Sequence, residues 1–478
     1  MHHMDSQEFR KYAHQFVDWM ADYLEEVENY PVKSQVQAGE IMAQLPVSAP
    51  RQGQEMEEIF ADFQRIILPG ITHWQSPNFF AYFPGNGSYP SVLAEMLTAT
   101  LGAQCMIWET SPAAAELEER VLDWLRQMIG LPDGFAGVIQ STASDATLCA
   151  LLSAREAYSD YQINQAGFKE TGYRVYASEQ THSSIEKAVK IAGFGKANYV
   201  PIPADEKYAL QPRALREAIE ADLAAGLRPL CVVATLGTTS STAIDPLPEI
   251  AAICEEFDLW LHVDAAFAGS ALILPEFQHW IEGKERIDSF VFNPHKWLFT
   301  NFDCSAYYVR STEKLVRTFE IMPEYLKTKN DAQVNNYRDW GIPLGRRFRA
   351  LKLWFVLRNF GQEGLQNKLR QHIRMIQGLA SQMEAHPQFE VLAPVPLNLV
   401  CFRWVPEDGL REEELDRYNE RLLHQLNASG KVYLTHTRLQ GRYTLRLVGG
   451  QTQLSQRHLD QAWALIQATA QRLAPCRK

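Results

Sequence analysis

The sequence predicts a mixed α/β protein, with a large domain on a mostly parallel sheet, a helical N-terminal segment and a small α+β domain at the C-terminus. Three observations carry this. Short β-rich runs alternate with helical stretches between about residues 130 and 310, the first eighty or so residues show only helical spacing, and the tail beyond about residue 350 returns to strands framed by helices. Strands poor in polar residues and separated by helices need apolar cover on both faces, which a parallel sheet under crossover helices provides. The expected boundaries are 1–82 for the helical segment, 83–350 for the large domain and 351–478 for the small one.

Near the N-terminus, Phe9, Tyr12, Phe16, Trp19, Met20, Tyr23 and Leu24 fall on one helical stripe that ends at Pro31. A second helical stretch at 56–66 runs into Leu68-Pro69-Gly70, a loop signal. The strands of the large domain are expected at 137–140, 173–177, 230–235, 259–264 and 289–293, with helices from about Ala146, from Ser184 and over 247–257. Phe348, Leu351, Trp354, Phe355 and Leu357 open a long helix, and later strands are expected at 389–392, 398–404 and 443–448.

With 46% hydrophobic and 22% charged residues, the 478-residue chain has the apolar material to offset chain entropy, which excludes a disordered protein. Its 46 lysines and arginines face 57 aspartates and glutamates, a net charge of −11. No broad cationic field is available to neutralise phosphates, so neither nucleic acid nor a membrane is an expected partner. No apolar run reaches the ~18 residues that span a bilayer, and no basic flank with an apolar core opens the chain, so a cytoplasmic location is expected. The seven cysteines are scattered and never spaced C-x-x-C; they read as reduced core thiols, with neither a disulfide framework nor a metal site signalled.

The sharpest chemical signal is Ser289-Phe290-Val291-Phe292-Asn293-Pro294-His295-Lys296-Trp297, an apolar strand that delivers a lysine. Desolvation disfavours an ammonium, so such a lysine either ends its strand at the surface or has a lowered pKa and serves as an amine nucleophile toward a carbonyl. Upstream, Leu259-Trp260-Leu261-His262-Val263-Asp264-Ala265-Ala266 ends a second apolar strand on a carboxylate. Asp264 either caps a turn or pairs with the cationic ring nitrogen of a pyridoxal cofactor. The run 137–147 passes from a strand into Ser141-Thr142-Ala143-Ser144-Asp145, which suits a helix cap or, through outward amides and hydroxyls, a phosphate. His182 and the hydroxyl-rich loop 235–242, with Thr239, follow two further strands and face the same edge of the sheet.

With the hydroxyl loop, His182, Thr239, Asp264 and Lys296 in this order, the chain resembles the pyridoxal-phosphate enzymes of fold type I, the aspartate aminotransferase-like class. It resembles most the group II amino-acid decarboxylases, in particular the aromatic L-amino-acid decarboxylases. The likeness rests on Thr72-His73-Trp74-Gln75-Ser76-Pro77, Phe79-Phe80-Ala81-Tyr82-Phe83-Pro84, Gly137-Val138-Ile139-Gln140, His262-Val263-Asp264-Ala265-Ala266, Asn293-Pro294-His295-Lys296-Trp297 and Ile342-Pro343-Leu344-Gly345-Arg346-Arg347-Phe348-Arg349. It covers the chain from about Phe9 onward.

The resemblance implies that Lys296 forms a Schiff base with pyridoxal phosphate, that Asp264 keeps the ring nitrogen protonated, and that His182 stacks on the ring near the substrate carboxylate. Ala143 and Ser144, with Asn293 and His295, would hold the phosphate, while Thr239 and Ala266 line the ring. Tyr325, in Met322-Pro323-Glu324-Tyr325-Leu326-Lys327, matches a lid tyrosine tied to protonation of Cα; related aldehyde synthases carry phenylalanine there. Trp74, Tyr82, Phe83 and Pro84 suit a pocket for an aromatic side chain, and Gly345 tilts the choice away from histidine. Met106, in a segment that in this family reaches into the partner's site, departs from the phenylalanine of animal relatives, and Phe267 replaces a common tyrosine. A symmetric homodimer is implied. The expected reaction is decarboxylation of an aromatic L-amino acid; the rival readings are an aromatic aldehyde synthase, a decarboxylase of a non-aromatic amino acid, and a non-catalytic protein on the same fold.

Overall fold

The computed structural model describes residues 4–321, 334–407 and 409–474. They fall into two compact units, Gly85–Gln377 with Ala393–Val400, and Met1–Pro84 with Gly378–Leu392 and Cys401–Lys478.

The first unit is built on seven strands: β1 (Ala136–Gln140), β2 (Tyr173–Ser178), β3 (Tyr199–Ile202), β4 (Arg228–Thr235), β5 (Trp260–Asp264), β6 (Ser289–Phe292) and β7 (Ser305–Val309). Their order in the sheet is β1-β7-β6-β5-β4-β2-β3. Only β7 runs against its neighbours β1 and β6, so the sheet is mostly parallel, as the alternation of strands and helices predicts. Every residue of β5, β6 and β7 is buried, the pattern of strands covered on both faces. Two strands escape the sequence reading. β3 is four residues long with Pro201 inside it, a residue tolerated because this strand lies at the sheet's edge. β7 is a short run whose partner is set by a reversal of direction that its own pattern does not announce.

The helix expected from about Ala146 starts a turn earlier and spans Ala143–Tyr158. A capping box starts it: Thr142 Oγ1 accepts Asp145 N–H at 3.4 Å, and Asp145 Oδ2 accepts Thr142 N–H at 3.2 Å. Its Leu151 and Ala154 pack with Val175, Ile185, Val189 and Val233, while Ala146 and Ala150 pack with Val138, Val291 and Tyr307. Each fully buried aliphatic side chain in such clusters contributes about 1.5–3 kcal/mol. The long C-terminal pattern forms Arg349–Glu384, broken at Gly361, whose φ of 65° is left-handed.

In the second unit β8 (Phe389–Val391), β9 (Leu399–Trp404), β10 (Thr435–Leu439) and β11 (Arg442–Val448) form a four-stranded sheet in the order β10-β11-β9-β8. β10 was not expected, because its Thr-His-Thr-Arg-Leu run is polar and half exposed. It is held in an antiparallel pair with β11 across Gln440-Gly441, both with positive φ, as a two-residue hairpin turn requires. The N-terminal stripe forms the helix Ser6–Glu26, whose Phe16 and Trp19 rings meet Phe60 and Phe63 at 4.6–5.6 Å.

Burial pushes the pKa of His262 down to about 4 and those of His295 and His372 to about 3. Unfolding returns each to roughly 6.5, so the unfolded chain takes up protons that the folded chain refuses. Asp245 opposes this. Burial lifts its carboxyl to about 7, so in mild acid the folded chain holds a proton that the unfolded chain releases. A net uptake of about two protons on unfolding remains, and the stability owed to the neutral imidazoles is complete above pH ~6.5 and lost as pH falls toward their folded values. The urea midpoint, followed by tryptophan fluorescence, should therefore fall steadily from about pH 6.5 to 4.5; a flat midpoint would contradict this.

Candidate active site

The apolar run of β5 places its last residue, Asp264, at the carboxyl edge of the sheet, opposite Thr235 of β4 and Val291 of β6. The Asp264 carbonyl accepts Leu236 N–H at 2.9 Å, and its Oδ1 accepts Ala266 N–H at 3.0 Å. From the same edge, β6 continues through Asn293 into the one-turn helix Pro294–Trp297, which carries Lys296. The pairing extends past the strand ends, since Asn293 N–H donates to Ala266 O at 3.0 Å. Asp264 and Lys296 are thereby fixed on adjacent segments.

Burial lowers the pKa of Lys296, and the charge of Asp264 works against that shift. His182 feels the same groups: burial and the Lys296 cation lower its pKa, and Asp264 raises it. The three side chains share one electrostatic neighbourhood. Ser184 N–H donates to His182 Nδ1 at 3.2 Å, with Ser184 Oγ 2.7 Å from the same nitrogen. A backbone N–H can only donate, so Nδ1 holds the lone pair and the neutral ring carries its proton on Nε2. Thr181 Oγ1 lies 2.9 Å from Thr235 Oγ1, which ties the His182 loop to β4.

Donors for an anion gather at the same edge. Ala143 and Ser144 are the first two residues of the helix Ala143–Tyr158, where amides have no partner within the helix. Ser305 Oγ donates to Asn293 Oδ1 at 2.7 Å, which leaves Nδ2 as the donor end of that carboxamide. Cys304 N–H donates to His295 Nδ1 at 2.9 Å, so neutral His295 carries its proton on Nε2. Two amides, a carboxamide and an imidazole N–H form a donor set suited to a phosphate dianion, beside an amine and a carboxylate suited to a pyridoxal ring. The residues present fit pyridoxal phosphate. Thr239 belongs to the turn after β4, and Ala266 follows Asp264 directly.

The segments that carry Met106 and Gly345 also come together. Cys105 N–H donates to Arg346 O at 3.0 Å, Arg346 N–H to Gln104 Oε1 at 2.7 Å, and Arg338 N–H to Met106 O at 2.8 Å. Beneath them, the buried pair Arg346–Glu118 at 2.5 Å joins this segment to β1, Arg346 donating to Ile139 O and Glu118 accepting Ile139 N–H. Trp74, Tyr82, Phe83 and Pro84 belong to the other unit, where the Trp74 and Tyr82 rings stack at 5.8 Å and both residues are exposed. Tyr82 OH lies 3.2 Å from Tyr433 OH, and Arg446 lies over the Phe83 ring. Tyr325 lies outside the described residues.

Two contributors were not singled out in the sequence. Asn86 grips the lysine segment from both sides: its N–H donates to His295 O at 2.9 Å and its Nδ2 to Lys296 O at 2.8 Å. Arg349 pairs with Asp303 and donates to Ser141 Oγ at 3.2 Å, steadying the loop before Ala143. Gly85-Asn86-Gly87-Ser88 reads only as a turn, and neither residue's partner is near it in the chain.

A sheet of this order, with a buried lysine between β6 and an antiparallel β7 and a carboxylate ending β5, defines the class of fold type I pyridoxal-phosphate enzymes. The profile of the pyridoxal-dependent decarboxylase conserved domain matches residues 38–405. Tryptophan decarboxylase 2 of Oryza sativa subsp. japonica is 45% identical over 98% of this chain and 95% of its own length. Phenylacetaldehyde synthase of Arabidopsis thaliana is 44% identical, over 98% of this chain and 96% of its own. Among solved structures, Oryza sativa TDC with PLP and tryptamine matches with a TM-score of 0.95 and 38% identity, covering 99% of this chain and 100% of that one. The chain belongs to the pyridoxal-dependent decarboxylase family, and its cofactor is pyridoxal phosphate.

Asn86→Ala removes a buried donor from the Lys296 carbonyl and should lower stability by about 1–3 kcal/mol, the cost of an unsatisfied buried group. Urea unfolding of the variant beside the parent measures it, and an unchanged midpoint would deny Asn86 its clamping role.

Proposed function

We propose that the enzyme decarboxylates an aromatic L-amino acid to the corresponding arylalkylamine and carbon dioxide. The observation that carries this is the Lys296, Asp264 and His182 neighbourhood in a chain 45% identical, over nearly its whole length, to a tryptophan decarboxylase. When bound, pyridoxal phosphate supplies an electron sink for the pair left at Cα by the departing carboxylate. Lys296, its ammonium disfavoured by burial, would offer the amine that anchors the cofactor. Asp264 would hold a proton at the ring nitrogen. His182 would cover the ring, with its Nε2–H as the donor for the substrate carboxylate. Ala143, Ser144, Asn293 and His295 hold the phosphate, with Thr239 and Ala266 beside the ring.

Tyr325 is assigned to deliver the proton that replaces the carboxylate at Cα. Trp74, Tyr82, Phe83, Pro84, Met106 and Gly345 are assigned to the substrate's side chain. An aldehyde synthase is the second reading, favoured by the 44% identity to a phenylacetaldehyde synthase; retention of tyrosine at 325 favours the amine. The deciding experiment incubates the holoenzyme with tryptophan, 5-hydroxytryptophan, phenylalanine, tyrosine, 3,4-dihydroxyphenylalanine, histidine and glutamate, following carbon dioxide, amine, aldehyde and peroxide together. Amine equal to carbon dioxide from an aromatic substrate, without peroxide, is expected; aldehyde with peroxide would move the enzyme to the second reading. Tyr325→Phe should shift product from amine toward aldehyde, and an unchanged amine yield would remove Tyr325 from the proton step.

The enzyme is further proposed to act as a symmetric homodimer. Tyr89, Leu93, Leu97 and Leu101 are spaced four apart on the helix Tyr89–Leu101 and are all about half exposed or more, an apolar stripe suited to a second copy. Leu93→Asp with Leu97→Asp should give a monomer in sedimentation, and a persistent dimer would refute that interface. The described residues include no helix long and apolar enough to cross a membrane, and their six cysteines are buried and unpaired. Both features suit the proposed cytoplasmic location.

A further inference from the structure

We infer that Lys352 is a positioning residue for the cofactor: with Arg347 and Arg349 it builds an ion cluster behind the phosphate donors, and the cluster's excess positive charge offsets the charge of the phosphate dianion. The inference rests on the assignment of Ala143, Ser144, Asn293 and His295 to the phosphate made above.

Every group in that donor set is neutral. Two backbone amides, a carboxamide and an imidazole N–H turn dipoles toward an anion, and the N-terminus of the helix Ala143–Tyr158 adds a partial charge of about +0.5. A dianion taken out of water needs formal charge of the opposite sign close by. The Lys296 charge is already opposed by Asp264 at the other end of the site. The next cations stand one layer back. Arg349 donates through Nη2 to Ser141 Oγ at 3.2 Å and pairs with Asp303 at 2.9 Å. Three residues along the same helix, Lys352 Nζ lies 2.5 Å from Glu95 Oε1. Arg347 reaches both carboxylates, Glu95 at 2.5 Å and Asp303 at 4.0 Å. Two carboxylates thus answer three cations, and one positive charge is left over.

The cluster meets the donor set at two points. Ser141, held by Arg349, is joined through Ser305 Oγ to Asn293: that hydroxyl lies 3.4 Å from Ser141 O and 2.7 Å from Asn293 Oδ1. Asp303 directly precedes Cys304, whose N–H fixes His295 Nδ1. The charges reach His295 as well. Burial is the main cause that lowers its pKa, Lys296 and Lys352 push the same way, and Asp303 opposes them. The side chain of Lys352 is 0% exposed, so no water screens its charge. Its Nζ has no acceptor in hydrogen-bonding geometry among the described residues, only the ion pair with Glu95. A buried ion pair of this kind is often no more stabilising than apolar side chains of the same volume. Stability therefore does not account for an enclosed ammonium here, whereas a dianion placed across Ser141 and His295 does.

The test strips the cofactor from the holoenzyme and titrates the full chain with pyridoxal phosphate and, separately, with pyridoxal, following cofactor absorbance. Pyridoxal lacks the phosphate, so the ratio of its Kd to that of pyridoxal phosphate reads the phosphate end alone, and any disturbance at the ring end cancels. Lys352→Met should lower this ratio about tenfold or more. Lys352→Met combined with Glu95→Gln removes one charge of each sign and restores the excess, so its ratio should return toward the parent's. Arg347 is 54% exposed, and Arg347→Gln takes a charge from the cluster where the fold tolerates it; water screens this charge, and the ratio should fall only about threefold. A parental ratio in Lys352→Met, or a double variant no better than the single one, would overturn the inference. Should Lys352→Met fail to fold, a parental ratio in Arg347→Gln would overturn it equally. Asn293→Ala removes a direct donor and should lower the ratio whatever the cluster does; a parental ratio there would instead overturn the assignment of the phosphate donors.

Discussion

An ammonium enclosed in protein loses hydration that one carboxylate does not fully replace, and the placement of Lys296 is the constraint on which much of the site depends. The lysine is held between the end of β6 and the start of β7, and β7 returns antiparallel between β6 and β1. The loop that carries it is therefore bounded by paired strands on both sides. Asn86 closes it through the main chain. Asp264 sits on the neighbouring strand, near enough to oppose the loss of charge without abolishing it. Each of these supports comes from a different part of the chain, and together they hold an amine where water alone would keep it protonated.

What was legible in the sequence was whatever is local. The five expected strands are present because buried parallel strands write themselves as unbroken apolar runs, and Asp264 and Lys296 stand out because each follows such a run. The cap at Thr142 was legible too, although its helix begins a turn early because Asp145 reaches back to it. What escaped was non-local or weakly patterned. β7 owes its place to pairing on both sides, β10 to a hairpin turn beside a polar run, and Asn86 to a partner 210 residues away. Met106 and Gly345 were singled out separately, and nothing in their spacing says that one hydrogen-bonded ladder joins their segments.

The two units differ in the residue types they present. Charged and hydrogen-bonding groups for an anion lie in the unit Gly85–Gln377, on the edge of a sheet whose central strands are wholly buried. The other unit carries aromatic surface, with the exposed Trp74 and Tyr82 rings stacked on each other and Trp74 also against the buried Phe79.

The clamp on the lysine loop has a consequence for how the enzyme fails. Asn293 to Cys304 is tied to strands at both ends and to Asn86 near its start. Opening it means breaking the ladder between β6 and β7, which lie inside the sheet. Lys296 is thus tied to the interior of the sheet, and its exposure to solvent is expected to accompany loss of the β6–β7 pairing.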